Sequence, residues 1–336
     1  MHDHRFREGE FVETVDGLIF GVKGLVHPPE RVISFIKYVP GPRGNRVRGR
    51  KKFTRIYDLT KRYEFLQNNY PEYIFYDPIR QREMQAVPHE RIKKIYRPQE
   101  KLRELMEQKR KGGIEETALK FAIAIARNSE ISLNDIGISG SILVDLHTER
   151  SDIDLVVYGE ENGRRLYEWL KKVRASGGWI SPYDDKSVKK VYVQRWGKSG
   201  LPIKKLIEVE KSKILQGLVD KRDYFIRLVK GWEDIDHACA DLKYIPMGKA
   251  TVRAIIVNDR DSIFTPCRYA INKCEVLAGE ICERIREICS FRGKFTEQAR
   301  VEDWIVAKGK VEKVMTGDEE FFRLLLESAE DYLIKV

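Results

Sequence analysis

The residues with the clearest chemical potential are a Gly-Ser pair and an Asp-x-Asp pair that follow each other closely in the chain. Gly140 and Ser141 come first, and ten residues separate Ser141 from the Asp152-Ile153-Asp154 segment. Glycine allows the backbone to approach an anion closely, and a helix that begins there presents free amide hydrogens to phosphate oxygens. The hydroxyl of Ser141 adds a further donor. The spacing therefore predicts that Gly140 and Ser141 bind the phosphates of a nucleotide.

The two aspartates predict a metal site. Alternation along a strand places Asp152 and Asp154 on one face, with Ile153 and Leu155 pointing into the core. Neighbouring carboxylates repel each other unless a divalent cation neutralises them. Mg²⁺ (or Mn²⁺) suits such a pair, because Mg²⁺ binds through one or two carboxylates together with substrate phosphates. Two such ions would activate an attacking hydroxyl and stabilise a departing pyrophosphate.

Short strands and helices must position these residues. Residues 136–139 predict a strand that leads into Gly140, and residues 152–157 predict a second strand that carries the aspartates. Helical spacing of apolar residues recurs over 99–128 and over 162–175. The remaining predictions for the central region are strands at 190–196 and 224–230, with a helix over 203–216 between them.

The regions on either side are rich in β-branched and aromatic segments. Segments 17–26 and 32–39 predict strands near the N-terminus, and segments 251–257 and 304–314 predict strands near the C-terminus. We therefore expect an α+β protein with a mixed sheet and helices in a central domain. The predicted domains are 1–98, which is β-rich and carries a basic loop, 99–231, and 232–336, which is small and β-rich.

The basic loop is a candidate nucleic-acid-binding surface. It contains seven cations and no acid between its first and last arginine, namely Arg43, Arg46, Arg48, Arg50, Lys51, Lys52 and Arg55. Seven aromatic residues follow it, at Tyr57, Tyr63, Phe65, Tyr70, Tyr73, Phe75 and Tyr76. Cations for phosphates and ring faces for bases are what binding of single-stranded nucleic acid uses. The alternative is a solvated basic hairpin beside an ordinary aromatic core.

Composition favours a basic cytoplasmic protein that binds polyanions. The formal net charge is +10 and the pI is about 9.2, which favours nucleic acids and nucleotide phosphates as partners. No apolar segment is long enough to span a membrane, and no signal peptide is evident, so we expect a cytoplasmic protein. The five cysteines form no Cys-x-x-Cys pair. The spacing of the last four predicts buried free thiols on one helix face.

The central segment resembles the DNA polymerase β-like nucleotidyltransferase superfamily, which includes CCA-adding enzymes and poly(A) polymerases. The resemblance is carried by Gly140-Ser141 and by Ser151-Asp152-Ile153-Asp154-Leu155-Val156-Val157. Most of the chain is also similar to a group of archaeal predicted nucleotidyltransferases, in its N-terminal β region and in segment 262–269. The resemblance implies a polymerase β-type domain, a nucleoside triphosphate substrate and magnesium.

Two positions depart from the superfamily pattern. Many relatives carry a glycine four positions after the serine, where this chain has Asp145. Active members also carry a third carboxylate on a later strand, and Phe225 stands in its place here. Asp223, two residues earlier on the same strand face, is the nearest substitute, and Glu208 and Glu210 are the alternatives. Segment 206–210 is predicted to be helical, although its alternation would also suit a strand.

Three functions remain open at the level of sequence. The first is the magnesium-dependent transfer of a nucleoside monophosphate from a nucleoside triphosphate to a hydroxyl, with RNA as the expected acceptor. Its predicted residues are Asp152, Asp154 and Asp223 for catalysis, with metal on the first two, and Gly140 and Ser141 for the nucleotide. Arg46, Arg48, Arg50, Lys51 and Lys52 are predicted to bind nucleic acid. The second function is a catalytically inactive nucleic-acid- or nucleotide-binding module, and the third is a regulator that modifies a partner protein.

Overall fold

A computed structural model describes residues 4–108, 112–196, 201, 203–234, 243–279, 285–317 and 319–336. The chain divides into two compact units. The first comprises Met1–Tyr76, Glu83–Ile180 and Leu218–Trp232, and the second comprises Asp77–Arg82, Ser181–Gly217 and Glu233–Val336. The predicted domain boundary at 98/99 falls inside the first unit, whereas the boundary at 231/232 lies next to its last residue. The three-domain division itself stays a prediction.

The N-terminal region is a β-sheet with one α-helix. Its elements are β1 (Phe11–Thr14), β2 (Ile19–Val22), β3 (Arg31–Pro40), β4 (Arg46–Arg48), β5 (Lys51–Arg55), α1 (Leu59–Asn69), β6 (Ile74–Asp77), β7 (Arg82–Pro88) and β8 (Ile92–Tyr96). The strands lie in the order β4-β5-β3-β2-β1-β8, and β7 pairs with both β3 and β6. The prediction of a basic loop is wrong in one respect, because these residues form a β-hairpin of β4 and β5. In this hairpin Arg46 pairs with Phe53 and Arg48 pairs with Lys51.

The central region of the chain contains a second sheet together with helices, and its residues Ser181–Gly217 belong to the second unit. Its elements are α2 (Pro98–Glu107), α3 (Gly113–Ser129), β9 (Ile136–Ile138), α4 (Gly140–Leu143), β10 (Ile153–Tyr158), α5 (Glu160–Ala175), β11 (Ile180–Ser181), α6 (Asp185–Trp196), α7 (Ile203–Ser212), β12 (Gln216–Val219) and β13 (Arg222–Val229). The strand order is β11-β12-β13-β10-β9. In the middle of this sheet β10 runs parallel to β13 and antiparallel to β9.

The strand predicted at 190–196 is wrong, because these residues belong to helix α6. Val188, Val191 and Trp196 are buried, whereas Val193 is 69% exposed. Burial thus follows helical spacing rather than the alternation of a strand. The β-branched valines suggested a strand, and tertiary packing overrode that local preference.

The N-terminal sheet and the Gly-Ser segment share one hydrophobic core within the first unit. Phe11, Ile19, Tyr38, Phe53 and Tyr96 of the sheet pack with Leu143, Val144 and Leu146, which follow the Gly-Ser pair. A hydrogen bond from the Ser139 hydroxyl to the Gly9 carbonyl (2.7 Å) adds a polar link. The N-terminal strands therefore form part of the wall around Gly140.

The second unit contains a closed barrel. Its strands are β14 (Lys243–Asn258), β15 (Cys267–Gly279), β16 (Ile285–Ser290), β17 (Trp304–Thr316), β18 (Glu319–Leu325) and β19 (Tyr332–Lys335). They follow the order β14-β15-β16-β18-β17-β19, and pairing of β14 with β17 closes the ring. β16 and β18 are parallel. The predicted α+β class, with β-rich regions flanking the central domain, is confirmed. No helix among the described residues is long and apolar enough to cross a membrane.

The predicted helix face of cysteines is wrong, because the described members lie on strands. Cys267 and Cys274 belong to β15 and Cys289 belongs to β16. Cys267 and Cys289 are buried free thiols, and burial raises the pKa of both, that of Cys289 to about 11. Cys239 and Cys282 lie outside the described residues.

Candidate functional site

Gly140 lies directly against the carboxylate of Asp154. Its φ of +63° is in the left-handed region, which glycine adopts far more readily than other residues. A Cβ atom at this position would come within 1.9 Å of Asp154 Oδ2. The backbone NH of Ser139 also donates to the Asp154 carbonyl at 2.8 Å. The fold thus requires glycine here, and it brings the Gly-Ser pair and the second aspartate together.

Ser141 offers a hydrogen-bonding group that the described protein does not use. The side chain is 1% exposed, and within the described residues its hydroxyl has no hydrogen-bond partner. A buried hydroxyl without a partner is costly, so this atom is suited to a ligand. The helix expected to follow the Gly-Ser pair is α4, a single turn of four residues.

Asp154 is the second residue of β10, and Asp152 immediately precedes the strand. Ile153 and Leu155, between and beyond them, are buried. Burial and the neighbouring Asp152 raise the pKa of Asp154 from its ordinary value of 3.8 to about 7, against the opposing effect of Arg55, Arg227 and Lys37. A divalent cation would stabilise the ionised Asp154 carboxylate, which burial and the neighbouring acid disfavour.

The place of the third carboxylate is taken by an aromatic ring. In the parallel pairing of β10 with β13, Asp154 lies opposite Phe225 and Ile153 lies opposite Tyr224. Asp223 immediately precedes Tyr224, as Asp152 precedes Ile153, so the two acids lie at the same end of neighbouring strands. In the described part of the chain, however, no three His, Cys, Asp or Glu side chains are grouped so as to hold a metal ion. Asp223 therefore stays a prediction.

The two alternative acids lie on helix α7 in the second unit, and the strand alternative for this segment is not realised. Glu208 is exposed. Glu210 is buried and accepts hydrogen bonds from Trp196 Nε1 (2.9 Å) and Lys213 Nζ (2.9 Å). Although burial raises the pKa of Glu210, Lys213 and Arg195 lower it to about 2. Glu210 thus has a structural role within its own unit.

Asp145, the second departure from the superfamily pattern, is explained by its backbone. Its φ is +55°, a left-handed conformation that glycine adopts freely and that aspartate tolerates better than most residues. Its carboxylate accepts a hydrogen bond from Lys101 Nζ at 2.6 Å. The glycine that many relatives carry at this position therefore suits the turn, and the aspartate here is engaged by α2.

Comparison with known proteins identifies this arrangement. Residues 123–243 match the family model of the nucleotidyltransferase domain. The chain contains a nucleotidyltransferase domain. An uncharacterized protein of Methanocaldococcus jannaschii is 28% identical over 331 residues, which cover 96% of this chain and 95% of the relative. No solved structure matches the chain. The matched residues include Gly140, Ser141 and both aspartates, so the predicted resemblance to this superfamily is confirmed.

Sequence reasoning missed the cations that face the nucleotidyltransferase aspartates. A cavity of about 90 Å³ is lined by Gly140, Asp154 and Phe225 together with Lys37, Arg55 and Arg227. Burial and the neighbouring cations, Arg62 first, hold the pKa of Lys37 well below its ordinary value. Lys37 and Arg55 precede the family-matched residues by many positions, and only the fold brings them to Asp154. The one available signal was the membership of Arg55 in the basic stretch.

The basic hairpin divides into an inner and an outer set. Arg46 donates to the Leu146 carbonyl (3.2 Å) and to the hydroxyls of Thr148 (3.3 Å) and Ser151 (3.0 Å). Arg48 donates to Tyr96 Oη (2.6 Å) and to Glu13 (2.8 Å). These two arginines, predicted to bind nucleic acid, thus have partners within the protein, and Arg46 holds the loop that leads to Asp152.

The outer set consists of Arg50, Lys51 and Lys52, which are exposed. They line a groove of about 580 Å³ together with Lys93 of β8. Its acids are engaged elsewhere, Glu13 with Arg48 and Asp16 with Arg91. The aromatic residues that follow the hairpin are divided as well. Tyr73 is fully buried, whereas Tyr57 is 66% and Tyr76 61% exposed.

Proposed function

We propose that this protein transfers a nucleoside monophosphate from a nucleoside triphosphate to a hydroxyl group, with the help of a divalent cation. The observation that carries the proposal is the contact between Gly140 and the Asp154 carboxylate inside a cavity lined by cations. The match of residues 123–243 to the nucleotidyltransferase domain supports the same reaction class.

The residues of the pair fit magnesium or manganese. Asp152 and Asp154 supply oxygen donors from one strand face, and the raised pKa of Asp154 reflects the burial and charge repulsion that a cation would relieve. When bound, the ion supplies Lewis acidity to the phosphoryl oxygens and to the attacking hydroxyl. Asp223 is the candidate for a third carboxylate, because it is the second residue of β13, which pairs with β10.

The remaining residues of the site bind and orient the nucleotide. Gly140 leaves space beside Asp154 for a phosphate oxygen, since any larger residue would fill it. The buried hydroxyl of Ser141 donates to the phosphates. Donors that are fixed before the reaction are well suited to stabilise charge that develops on transfer.

RNA is the acceptor that the surface charges favour. Arg50, Lys51, Lys52 and Lys93 line one groove, and among the described residues none of their side chains forms a hydrogen bond or ion pair with another side chain. Such a cluster attracts a phosphate backbone.

In the second unit, the first strand of the barrel pairs with the second and fourth, and the third and fifth are parallel. This is the strand order of the OB-fold, whose barrels bind oligonucleotides and oligosaccharides. Because fold alone does not determine function, it serves only as support.

A second candidate function is a nucleic-acid-binding module without transferase activity. The observation in its favour is Phe225, which lies opposite Asp154 where active relatives carry an acid. Such a module would still bind nucleotides or RNA, but it would not transfer a nucleotide to any acceptor.

One assay separates the two candidates. The protein is incubated with each labelled nucleoside triphosphate, Mg²⁺ and total RNA, beside an Asp152→Asn/Asp154→Asn double variant and a Glu161→Gln control, whose side chain is 85% exposed. We expect transfer of label by the wild type and the control and none by the double variant. Transfer that persists in the double variant would exclude the site. Absence of transfer, together with tight salt-sensitive RNA binding, would favour the binding module.

A further inference from the structure

We propose that Lys37 and Arg55, which belong to the N-terminal sheet, bind the terminal phosphates of the nucleotide. The inference rests on the proposed function, because it assigns a phosphate subsite to the same cavity. It adds two residues that lie outside the family-matched segment 123–243. The nucleotidyltransferase site is then built from both regions of the first unit rather than from the matched domain alone.

Two neighbouring strands supply the two cations. Tyr38 of β3 pairs with Arg55 of β5, and Lys37 is the residue before Tyr38. Both side chains line the cavity that Gly140 and Asp154 also line. Two cations from neighbouring strands therefore face the Gly-Ser turn and the second aspartate across a small space.

Neither cation is satisfied by the protein around it. Within the described residues, the amine of Lys37 forms no hydrogen bond or ion pair. Arg55 Nε is buried and has no hydrogen-bond partner there, although its guanidinium lies 4.7 Å from the centre of the Tyr57 ring. Both side chains are half-buried, and a charged group that is partly removed from water without a partner is costly, so both are suited to an anionic ligand.

The acids of the cavity do not remove this excess of positive charge. Glu8 and Glu10, which line the cavity, are 2% and 1% exposed. Glu8 already pairs with Lys23 (2.8 Å) and Arg227 (2.9 Å), and Glu10 lies 2.9 Å from His4 Nε2. Asp152 and Asp154 are the carboxylates that a divalent cation would occupy. Once a divalent cation neutralises these two carboxylates, no negative charge of the site compensates Lys37 and Arg55. A phosphate group would supply that negative charge.

The size of the cavity indicates which part of the nucleotide it accepts. The cavity is small, at about 90 Å³, and its lining includes four cations, Lys23, Lys37, Arg55 and Arg227. A small cationic space suits a phosphate group better than a nucleoside. Ser141, the neighbour of Gly140, has a buried hydroxyl that is free to donate to the same group. We therefore assign the cavity to the end of the polyphosphate chain, with the nucleoside outside it.

The test measures binding without transfer. Isothermal titration calorimetry in the presence of Mg²⁺, without RNA, compares tripolyphosphate, pyrophosphate, ATP and adenosine as ligands of the wild type and of the Lys37→Gln and Arg55→Gln variants. Lys61→Gln is the matched control, because it removes one exposed lysine of α1 from the same region. Each cavity variant should lose roughly 10- to 100-fold in tripolyphosphate and ATP affinity, the range of one charge-assisted hydrogen bond. Adenosine binding should be unaffected.

The outcomes distinguish this inference from the proposed function. If no label transfer is found but the two variants lose tripolyphosphate affinity, the phosphate subsite stands and the transferase proposal fails. If transfer is found while tripolyphosphate affinity and the KM for the nucleotide are unchanged in both variants, the subsite is excluded and the transferase proposal stands. Should a glutamine variant unfold, Lys37→Met and Arg55→Met, which also remove the charge, replace it: a tripolyphosphate affinity equal to that of the Lys61→Gln control would then exclude the subsite.

Discussion

Replacement of Asp154 by asparagine should stabilise the metal-free protein above neutral pH. The fold raises the pKa of this carboxyl from 3.8 to about 7, because the side chain is buried and lies beside Asp152. A folded-state pKa above the unfolded value means that the fold favours the protonated form. The loss of folding stability caused by Asp154 is therefore absent below about pH 4, grows as the pH rises towards 7, and is complete above pH 7.

The magnitude follows from the same two values. Each pH unit of difference corresponds to about 1.4 kcal/mol, so the ionised carboxylate lowers the free energy of unfolding by at most about 4 kcal/mol at pH 8. Asparagine has nearly the same shape and carries no charge. In EDTA, Asp154→Asn should therefore be more stable than the wild type at pH 8, and this difference should shrink towards zero as the pH falls to 4.

Urea denaturation at several pH values between 4 and 8 provides the measurement, with Glu161→Gln as an exposed control that should match the wild type throughout. Added Mg²⁺ should stabilise the wild type at pH 8 and leave Asp154→Asn unchanged, because only the wild type retains both carboxylates. If Asp154→Asn is less stable than the wild type at pH 8 in EDTA, the nearby cations stabilise the carboxylate more than burial destabilises it, and the reasoning fails.

Three further predictions concern the turn, the third acid and the groove. Gly140→Ala should cost about 1–2 kcal/mol of stability from its left-handed backbone alone and should abolish nucleotide binding through its clash with Asp154, measured by calorimetry. Gly317→Ala, at φ +54° in open space, should show only the backbone cost. Asp223→Asn should lower kcat for label transfer at least about tenfold if it supplies a carboxylate to the site, whereas the exposed-residue control Glu208→Gln should not; equal rates would exclude Asp223. Replacement of Arg50, Lys51, Lys52 and Lys93 by glutamine should reduce the slope of log Kobs for single-stranded RNA against log salt by about 3, and an unchanged slope would contradict RNA binding in the groove.

The nucleotidyltransferase core was predictable because its signal is local. Gly140, Asp152 and Asp154 lie within one short segment, and backbone periodicity alone places the two acids on one face. The cations Lys37 and Arg55 were not predictable as site residues, because no local sequence pattern indicates that they lie near Asp154. Local sequence also misled the prediction at 190–196, where a segment rich in β-branched valine folds as a helix. The same limit of local sequence applies to Arg46, whose partner Leu146 lies 100 residues away, and to Arg48, whose partners Tyr96 and Glu13 lie 48 and 35 residues away. These contacts become visible only in the fold.

The hydrophobic core shared by the N-terminal sheet and the residues after the Gly-Ser pair constrains how this domain can be transferred between genes. Without the N-terminal sheet, Leu143, Val144 and Leu146 of segment 123–243 would lose the apolar surface that buries them. The site would also lose Lys37 and Arg55. A gene that acquired only the family-matched segment would thus encode an exposed apolar patch and an incomplete cavity. The two regions have reason to be inherited together, and the archaeal relative aligns over 96% of this chain rather than over the matched segment alone.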